Sequence, residues 1–270
     1  MIRFSFSNVL KEATVTASSA KVGSLANNTV AASFSDRWES ASPFVELHTL
    51  KYEFSPTTVS CIGLFALEVD PEAELTIRLY NGVNLVKEIT LPAYQVVYGY
   101  GEGPYGLFGY GGYSAPGRDW VQQFKVLWLE DIYCDKLSVE FSGSQDVSLG
   151  YVHLGPSWSP PFGISRDYNV TFDSTRLDIL RNPGGVSIGS VARQYRCVSV
   201  TLQLMRAEDV EDLYTLYDGY SPLVFTAFAE KDSTEAIYST MLGRITGGID
   251  STGAPHSRYT AAGLKIEECK

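Results

Sequence analysis

The sequence has little of what most enzymes and nucleic-acid binders need. Basic residues are scarce: 21 Lys and Arg stand against 31 Asp and Glu, a net charge of −10. A nucleic-acid groove needs a basic stripe to release counterions from phosphates, so nucleic acid is excluded as a partner. An anionic membrane surface asks for the same kind of patch. No run of about 18 apolar residues is present, so no bilayer-spanning helix is expected. The opening Met1-Ile2-Arg3-Phe4-Ser5-Phe6 lacks the long apolar segment of an export signal, which predicts a chain made in the cytoplasm. Cysteines are few and scattered: Cys61, Cys134, Cys197 and Cys269 form no CxxC or CxH spacing and read as reduced thiols rather than metal ligands. The three histidines, His48, His153 and His256, form no HxH or HExxH pattern. No catalytic, cofactor or metal residue is assigned.

Strand signals dominate what is present. Leu75, Ile77 and Leu79 alternate with Thr76, Arg78 and Tyr80. Leu137, Val139 and Phe141 alternate with polar neighbours, and so do Val198, Val200, Leu202 and Leu204. Period two puts one face on a core and the other in water. His153 alternates within Tyr151-Val152-His153-Leu154 and is expected on a strand surface. Turn residues punctuate the strands at Asn81-Gly82, Ser142-Gly143-Ser144, Asn182-Pro183-Gly184-Gly185 and Gly247-Gly248. One helix is predicted at about 207–217, where Val210, Leu213, Tyr214 and Tyr217 share a face, Glu208 and Asp209 suit the positive end of the dipole, and Gly219 offers a stop. Strands without regular crossover helices predict an all-β protein with one short helix. The extended stretch Gly155-Pro156-Ser157-Trp158-Ser159-Pro160-Pro161 suggests a boundary, dividing the chain into residues 1–155 and 156–270.

Three motif matches point to chemistry, and their contexts argue against it. Gly101-Glu102-Gly103-Pro104-Tyr105-Gly106 spells GxGxxG, but its flanks are more Gly and Tyr, with no strand before and no helix after to meet a pyrophosphate. Gly185-Val186-Ser187-Ile188-Gly189 spells GxSxG with His256 downstream, yet the residues after Ser187 run into a strand rather than a nucleophile-elbow helix. Asn27-Asn28-Thr29 and Asn169-Val170-Thr171 match a glycosylation acceptor by chance, given no export signal. A Tyr/Gly-rich insertion spans residues 97–117. Its Tyr98, Tyr100, Tyr105, Phe108, Tyr110 and Tyr113 offer contact area with few rotors to freeze, so they are the candidate interface.

The order of several loose patches carries a family resemblance. Ala13-Thr14-Val15-Thr16-Ala17-Ser18-Ser19, Phe34-Ser35-Asp36-Arg37-Trp38-Glu39-Ser40, the pair Ile62–Leu67 and Glu74–Leu79, and the exit Tyr151–Trp158 resemble a galactose-binding-like, discoidin-type jelly roll of the kind found in phage structural proteins. Arg193-Gln194-Tyr195-Arg196, Ser221-Pro222-Leu223-Val224-Phe225 and Arg258–Glu268 resemble the β-rich C-terminal module of distal tail or tail-tip proteins. The resemblance implies an N-terminal jelly-roll sandwich and a C-terminal β-barrel or sandwich. It implies a virion tail component, assembled in the host cytoplasm, that forms a ring with itself, a hexamer or a trimer, and meets tube, hub and fibre proteins. It places a ligand loop at Asp36, Arg37 and Trp38, where a host-surface glycan is the alternative partner. A carbohydrate-binding module is the alternative function, and a glycan depolymerase is a third.

Overall fold

The computed structural model describes residues 2–31, 36–41, 47–70, 73–93, 124–144, 146–160, 169–174, 180–181, 187–188, 194–216, 221–227, 229, 239–253 and 260–269. They form two compact units, one of Val9–Leu154 and one of Met1–Asn8 with Gly155–Lys270. The break near residue 155 has a counterpart at residue 8. The opening residues, expected in the first domain, belong to the second unit, because Ile2, Phe4 and Phe6 bury their side chains in its core.

The jelly-roll unit is built on two long strands. β1 (Arg3–Ser5) belongs to the other unit. Here β2 (Thr14–Ala17), β3 (Trp38–Glu39), β4 (Leu47–Glu68), β5 (Glu74–Asn81), β6 (Asn84–Pro92), β7 (Phe124–Ser142) and β8 (Ser148–Gly155) follow in chain order. β4 and β7 pair antiparallel twice, first over Leu47↔Ser142 to Glu53↔Lys136, then over Thr57↔Cys134 to Phe65↔Phe124. Register shifts interrupt the ladder between Glu53 and Thr57 and between Val59 and Cys61. Pro56 falls in the first break, where no ladder N–H is required of it. Such irregularities bend strands and let them turn a sandwich corner. β2 and β5 pair with the Leu47–Glu53 and Lys136–Ser142 stretches, and β8 runs between β3 and β4. All these strands face one core that includes Trp38, Leu50, Tyr52, Ile62, Leu64, Leu75, Ile77, Leu79, Val139, Phe141, Leu149 and Val152.

Burial follows the period-two pattern where one face is wet. Leu75, Ile77 and Leu79 are inside, as their alternation predicts. From Val59 to Phe65 and along most of β8, burial is continuous, so both faces of those stretches are covered. His153 lies there. Its side chain is fully buried, which corrects the strand-surface expectation. Asn81-Gly82 makes the expected hairpin between β5 and β6, with Gly82 at φ 62° and its N–H shared by the two Asp135 carboxylate oxygens at 2.9 and 3.0 Å. Among the described residues β6 is a sheet edge; Lys87 opposite Leu79 and the donor-less Pro92 discourage further strand addition there.

The second unit is also antiparallel. Its sheet runs β1, β13 (Leu223–Thr226), β14 (Met241–Gly253), β15 (Thr260–Glu268), β12 (Gln194–Met205), β9 (Asn169–Ser174). Val198, Val200 and Leu202 are buried, as read from the sequence, while the side chain of Leu204 lies outside the described residues. The one α-helix among the described residues, α1, spans Ala207–Leu216. The Asp209 carboxylate accepts the Arg206 N–H at 2.9 Å, satisfying a donor at the helix start. β10 (Leu180–Arg181) and β11 (Ser187–Ile188) form a small antiparallel ribbon. Arg196 and Glu268 join the start of β12 to the end of β15 through Nη2–Oε1 at 2.6 Å and Nε–Oε1 at 3.0 Å, both side chains nearly buried. The chain is thus all-β with one short helix.

Candidate functional site

The sequence-predicted ligand loop splits between core and surface. Trp38 opens β3, opposite Leu149 of β8, and its indole is fully buried. Its Nε1–H donates to the Ser19 carbonyl at 2.9 Å. An indole held this way has no face for a ligand, so Trp38 is a core strut and not a binding residue. Asp36 and Arg37, just before it, do reach the surface. They line an open cleft of about 340 Å³ with Gly23, Ser24, Asn28 and Glu39.

Local geometry explains how residues from separate segments meet there. The chain leaves β2 with the Ser18 N–H bound to the Thr49 carbonyl at 2.8 Å, then doubles back so that the Lys21 N–H meets the Glu39 carbonyl at 2.9 Å. A 3₁₀ turn at Ala26–Val30 comes next. Thr29 pins it, donating to the Ala26 carbonyl at 2.7 Å and sharing a buried 2.9 Å hydrogen bond with the Tyr52 hydroxyl. Burial pushes the Tyr52 pKa well above the usual phenol value, against the smaller lowering by Thr29, so the hydroxyl keeps its proton and stays a hydrogen-bonding group. Asn28 then donates through Nδ2 to the Arg37 carbonyl at 3.2 Å, closing the loop.

Two ion pairs border the cleft. Lys21 Nζ lies 3.2 Å from Glu39 Oε2, and Arg37 Nη1 lies 2.5 Å from Glu68 Oε1. Both are half-exposed, so they orient side chains more than they stabilise the fold. Glu68 lies just beyond a backbone outlier: Ala66 sits at φ 52°, a region where an L residue costs about 1–2 kcal/mol. A Cβ on Gly150 would come 2.7 Å from the Ala66 Cβ, so β8 needs glycine to pass this kink. Substituting Ala66→Gly is expected to raise the stability of the jelly roll by up to about 1 kcal/mol, read from denaturant melts.

The remaining sequence candidates fall elsewhere. Tyr98, Tyr100, Tyr105, Phe108, Tyr110 and Tyr113, with the GxGxxG match, lie outside the described residues. Ser187 sits in the β10–β11 ribbon rather than at a strand-to-helix elbow; His256 lies outside the described residues. Among the described residues, no group of three or more His, Cys, Asp or Glu is placed to hold a metal ion. The four cysteines are free thiols, and burial pushes the Cys134 pKa up to about 11, with Asp135 adding to the shift. No helix among the described residues is long and apolar enough to cross a membrane. Sequence reading missed Ser24, Asn28 and Glu39. Asn28 carried a signal, in Asn27-Asn28-Thr29, that was read as a chance glycosylation match.

Fold and site together define a β-sandwich module whose loops frame a polar cleft. No family model matches the chain, and no curated protein matches it in sequence. Among solved structures it is similar to chitosan-binding module 1 from a chitosanase/glucanase of Paenibacillus sp. IK-5, at 21% identity over 55% of this chain and 98% of that one, TM-score 0.38. It is similar also to the family 32 carbohydrate-binding module of NanJ from C. perfringens, determined with galactose, at 12% identity over 57% and 99%, TM-score 0.39. A third is the lectin domain of lectinolysin, complexed with Lewis B antigen, at 12% identity over 56% and 98%, TM-score 0.41.

Proposed function

We propose that the jelly-roll unit is a glycan-binding module and that the protein acts by binding rather than by catalysis. The observation that carries this is the lining of the cleft. Ligand pockets are usually mostly apolar with a few polar anchors. Here every side chain named in the lining is a hydrogen-bonding group: Ser24, Asn28, Asp36, Arg37 and Glu39. Carboxylates accept from hydroxyls, while amide and guanidinium groups donate to hydroxyl and ring oxygens. A polyhydroxylated ligand offers both donors and acceptors to such a lining. The hydrogen bonds and ion pairs within the loops hold these groups in place before a ligand arrives, which lowers the ordering cost of binding.

A glycan array on the full chain tests the reading, with titration of any hit. Arg37→Ala and Asn28→Ala are each expected to weaken that hit about tenfold, roughly 1.4 kcal/mol, with the melting transition little changed. Binding that ignores both substitutions would place the ligand elsewhere, and a silent array with folded protein would refute the reading.

A second reading sets this module in a virion tail, as the sequence resemblance implies, with the second unit as the part that assembles with copies of itself and with tube, hub or fibre proteins at the tail tip. The sequence of the jelly roll is inserted between the two parts of the other unit, residues 1–8 and 155–270, so each unit has its own core for its own task. Mass measurement on purified tails tests it, and a copy number of one would count against a ring.

A further inference from the structure

We propose that Asn81 is a self-modification site, converting with loss of ammonia to aspartate and isoaspartate, and that Asp135 sets the rate of that conversion.

The site is the head of the β5–β6 hairpin. Asn81-Gly82 is the one Asn-Gly step in the sequence. Asn81 ends β5, Asn84 opens β6 opposite it, and Gly82 and Val83 make the turn between them. Gly82 is at φ 62° and Val83 is not among the residues of positive φ, the Gly-first pattern of a two-residue hairpin turn. Asn81, Gly82 and Val83 are all exposed, so water reaches the peptide link. The Gly82 backbone nitrogen, once it has given its proton to water, attacks the Asn81 side-chain carbonyl carbon. A C–N bond closes a cyclic imide. The side-chain nitrogen takes up a proton from water, its C–N bond breaks, and it leaves as ammonia. Water then opens the imide at either carbonyl, giving aspartate or isoaspartate. Glycine as the second residue favours closure, because no Cβ hinders the approach of its nitrogen.

Asp135 sits on that nitrogen. Its Oδ1 and Oδ2 accept the Gly82 N–H at 2.9 and 3.0 Å, from a strand 53 residues further along the chain. An exposed turn N–H can be satisfied by water, so the hairpin does not need this contact in order to form. Its effect on the chemistry has one direction. The species that attacks is the amide anion. A carboxylate held against the same atom repels that anion and stabilises the protonated amide. A carboxylate is also far too weak a base to remove an amide proton. The pairing Asn81↔Asn84 adds a second restraint, since it keeps Asn81 extended and imide closure must turn the Gly82 nitrogen towards the Asn81 side chain. Asp135 is thus a positioning residue that keeps Asn81 unreacted. Conversion places a new carboxylate near Asp135 and, in isoaspartate, an extra main-chain carbon at the hairpin head. Loss of ammonia makes the change one-way.

The test incubates the full chain at neutral pH and follows Asn81 by peptide mass spectrometry, with fragmentation to tell isoaspartate from aspartate. Conversion at Asn81 is expected, slower in the folded protein than in the same chain unfolded in urea. Asp135→Asn keeps the size of the side chain and removes its charge. It is expected to speed conversion about tenfold, the scale of one hydrogen bond to a charged group. Amide hydrogen exchange also removes the Gly82 proton, so it reads the same acidity. Exchange at Gly82 should rise by a similar factor in the variant, while Ile77 and Ile89, paired within the hairpin, exchange as before; general loosening would speed all three. A variant that converts no faster than the wild type, or an Asn81 that stays intact while other asparagines convert, would overturn the inference. So would a folded wild type that reacts as fast as the unfolded chain, a comparison that decides the matter even where the variant does not fold.

Discussion

Deleting residues 1–8 is expected to unfold the second unit and spare the jelly roll. Ile2, Phe4 and Phe6 are 1%, 0% and 5% exposed, although they stand at the far end of the sequence from their neighbours. Phe4 packs on Phe225 at 5.1 Å, Trp158 at 5.6 Å and Phe6 at 5.4 Å between ring centres. β1 pairs with β13 over Arg3↔Thr226 to Ser5↔Val224, and Phe4 exchanges backbone hydrogen bonds with Trp158 at 2.9 and 2.7 Å. Gly155 runs so close to this strand that a Cβ there would lie 2.0 Å from the Ser7 carbonyl oxygen. Emptying one buried Phe site costs about 3–5 kcal/mol. Losing two such sites, Ile2 and a strand exceeds what a domain with about 5–15 kcal/mol of stability tolerates. The single change Phe4→Ala should cost about 3–5 kcal/mol in the same unit. Circular dichroism and amide spectra of residues 9–154 and 156–270, made separately, check this. A cooperatively folded 156–270 fragment would contradict it.

Acid should destabilise the jelly roll through His153. Burial, with a smaller contribution from the Lys11 charge, lowers the His153 pKa from 6.5 to about 3. The folded protein therefore holds a neutral imidazole at pH values where the unfolded chain has bound a proton. A site that binds more protons when unfolded makes stability rise with pH. Its contribution is full above about pH 6.5 and is lost as the pH falls towards 3. The loss should be about 2 kcal/mol at pH 5 and about 4–5 kcal/mol by pH 3, at 1.36 kcal/mol per unit. Urea melts at pH 7 and pH 5, followed at the jelly-roll transition, measure it. His153→Leu should flatten the slope across that window whatever it does to absolute stability. An unchanged slope would mean that His153 is not the group responsible.

Neither the borrowed first strand nor the buried imidazole is legible in local sequence. Alternation placed Leu75, Ile77 and Leu79, and Val198, Val200 and Leu202, on core faces, and the 3.6-residue spacing found α1, with Val210 and Leu213 buried, Tyr214 exposed and Tyr217 outside the described residues. Each is a local pattern, set by the pitch of the element. Alternation assumes one wet face, so it failed at His153, where β8 is covered on both. Proximity along the chain put residues 1–8 with the jelly roll, while strand pairing put them with residues 155–270.

By itself, then, the sequence determined the all-β class, the one helix among the described residues and the turn at Asn81-Gly82. Only the tertiary structure decided that Trp38 is a strut, that Asn28, Glu39 and Glu68 gather beside Arg37, and that the jelly roll is an insertion. The physical reason is range. Backbone pitch, turn chemistry and period-two burial act between residues a few positions apart and leave a mark in the order of letters. The cleft, the buried histidine and the borrowed first strand depend on which distant strands pair, and that is set by the whole core being packed at once.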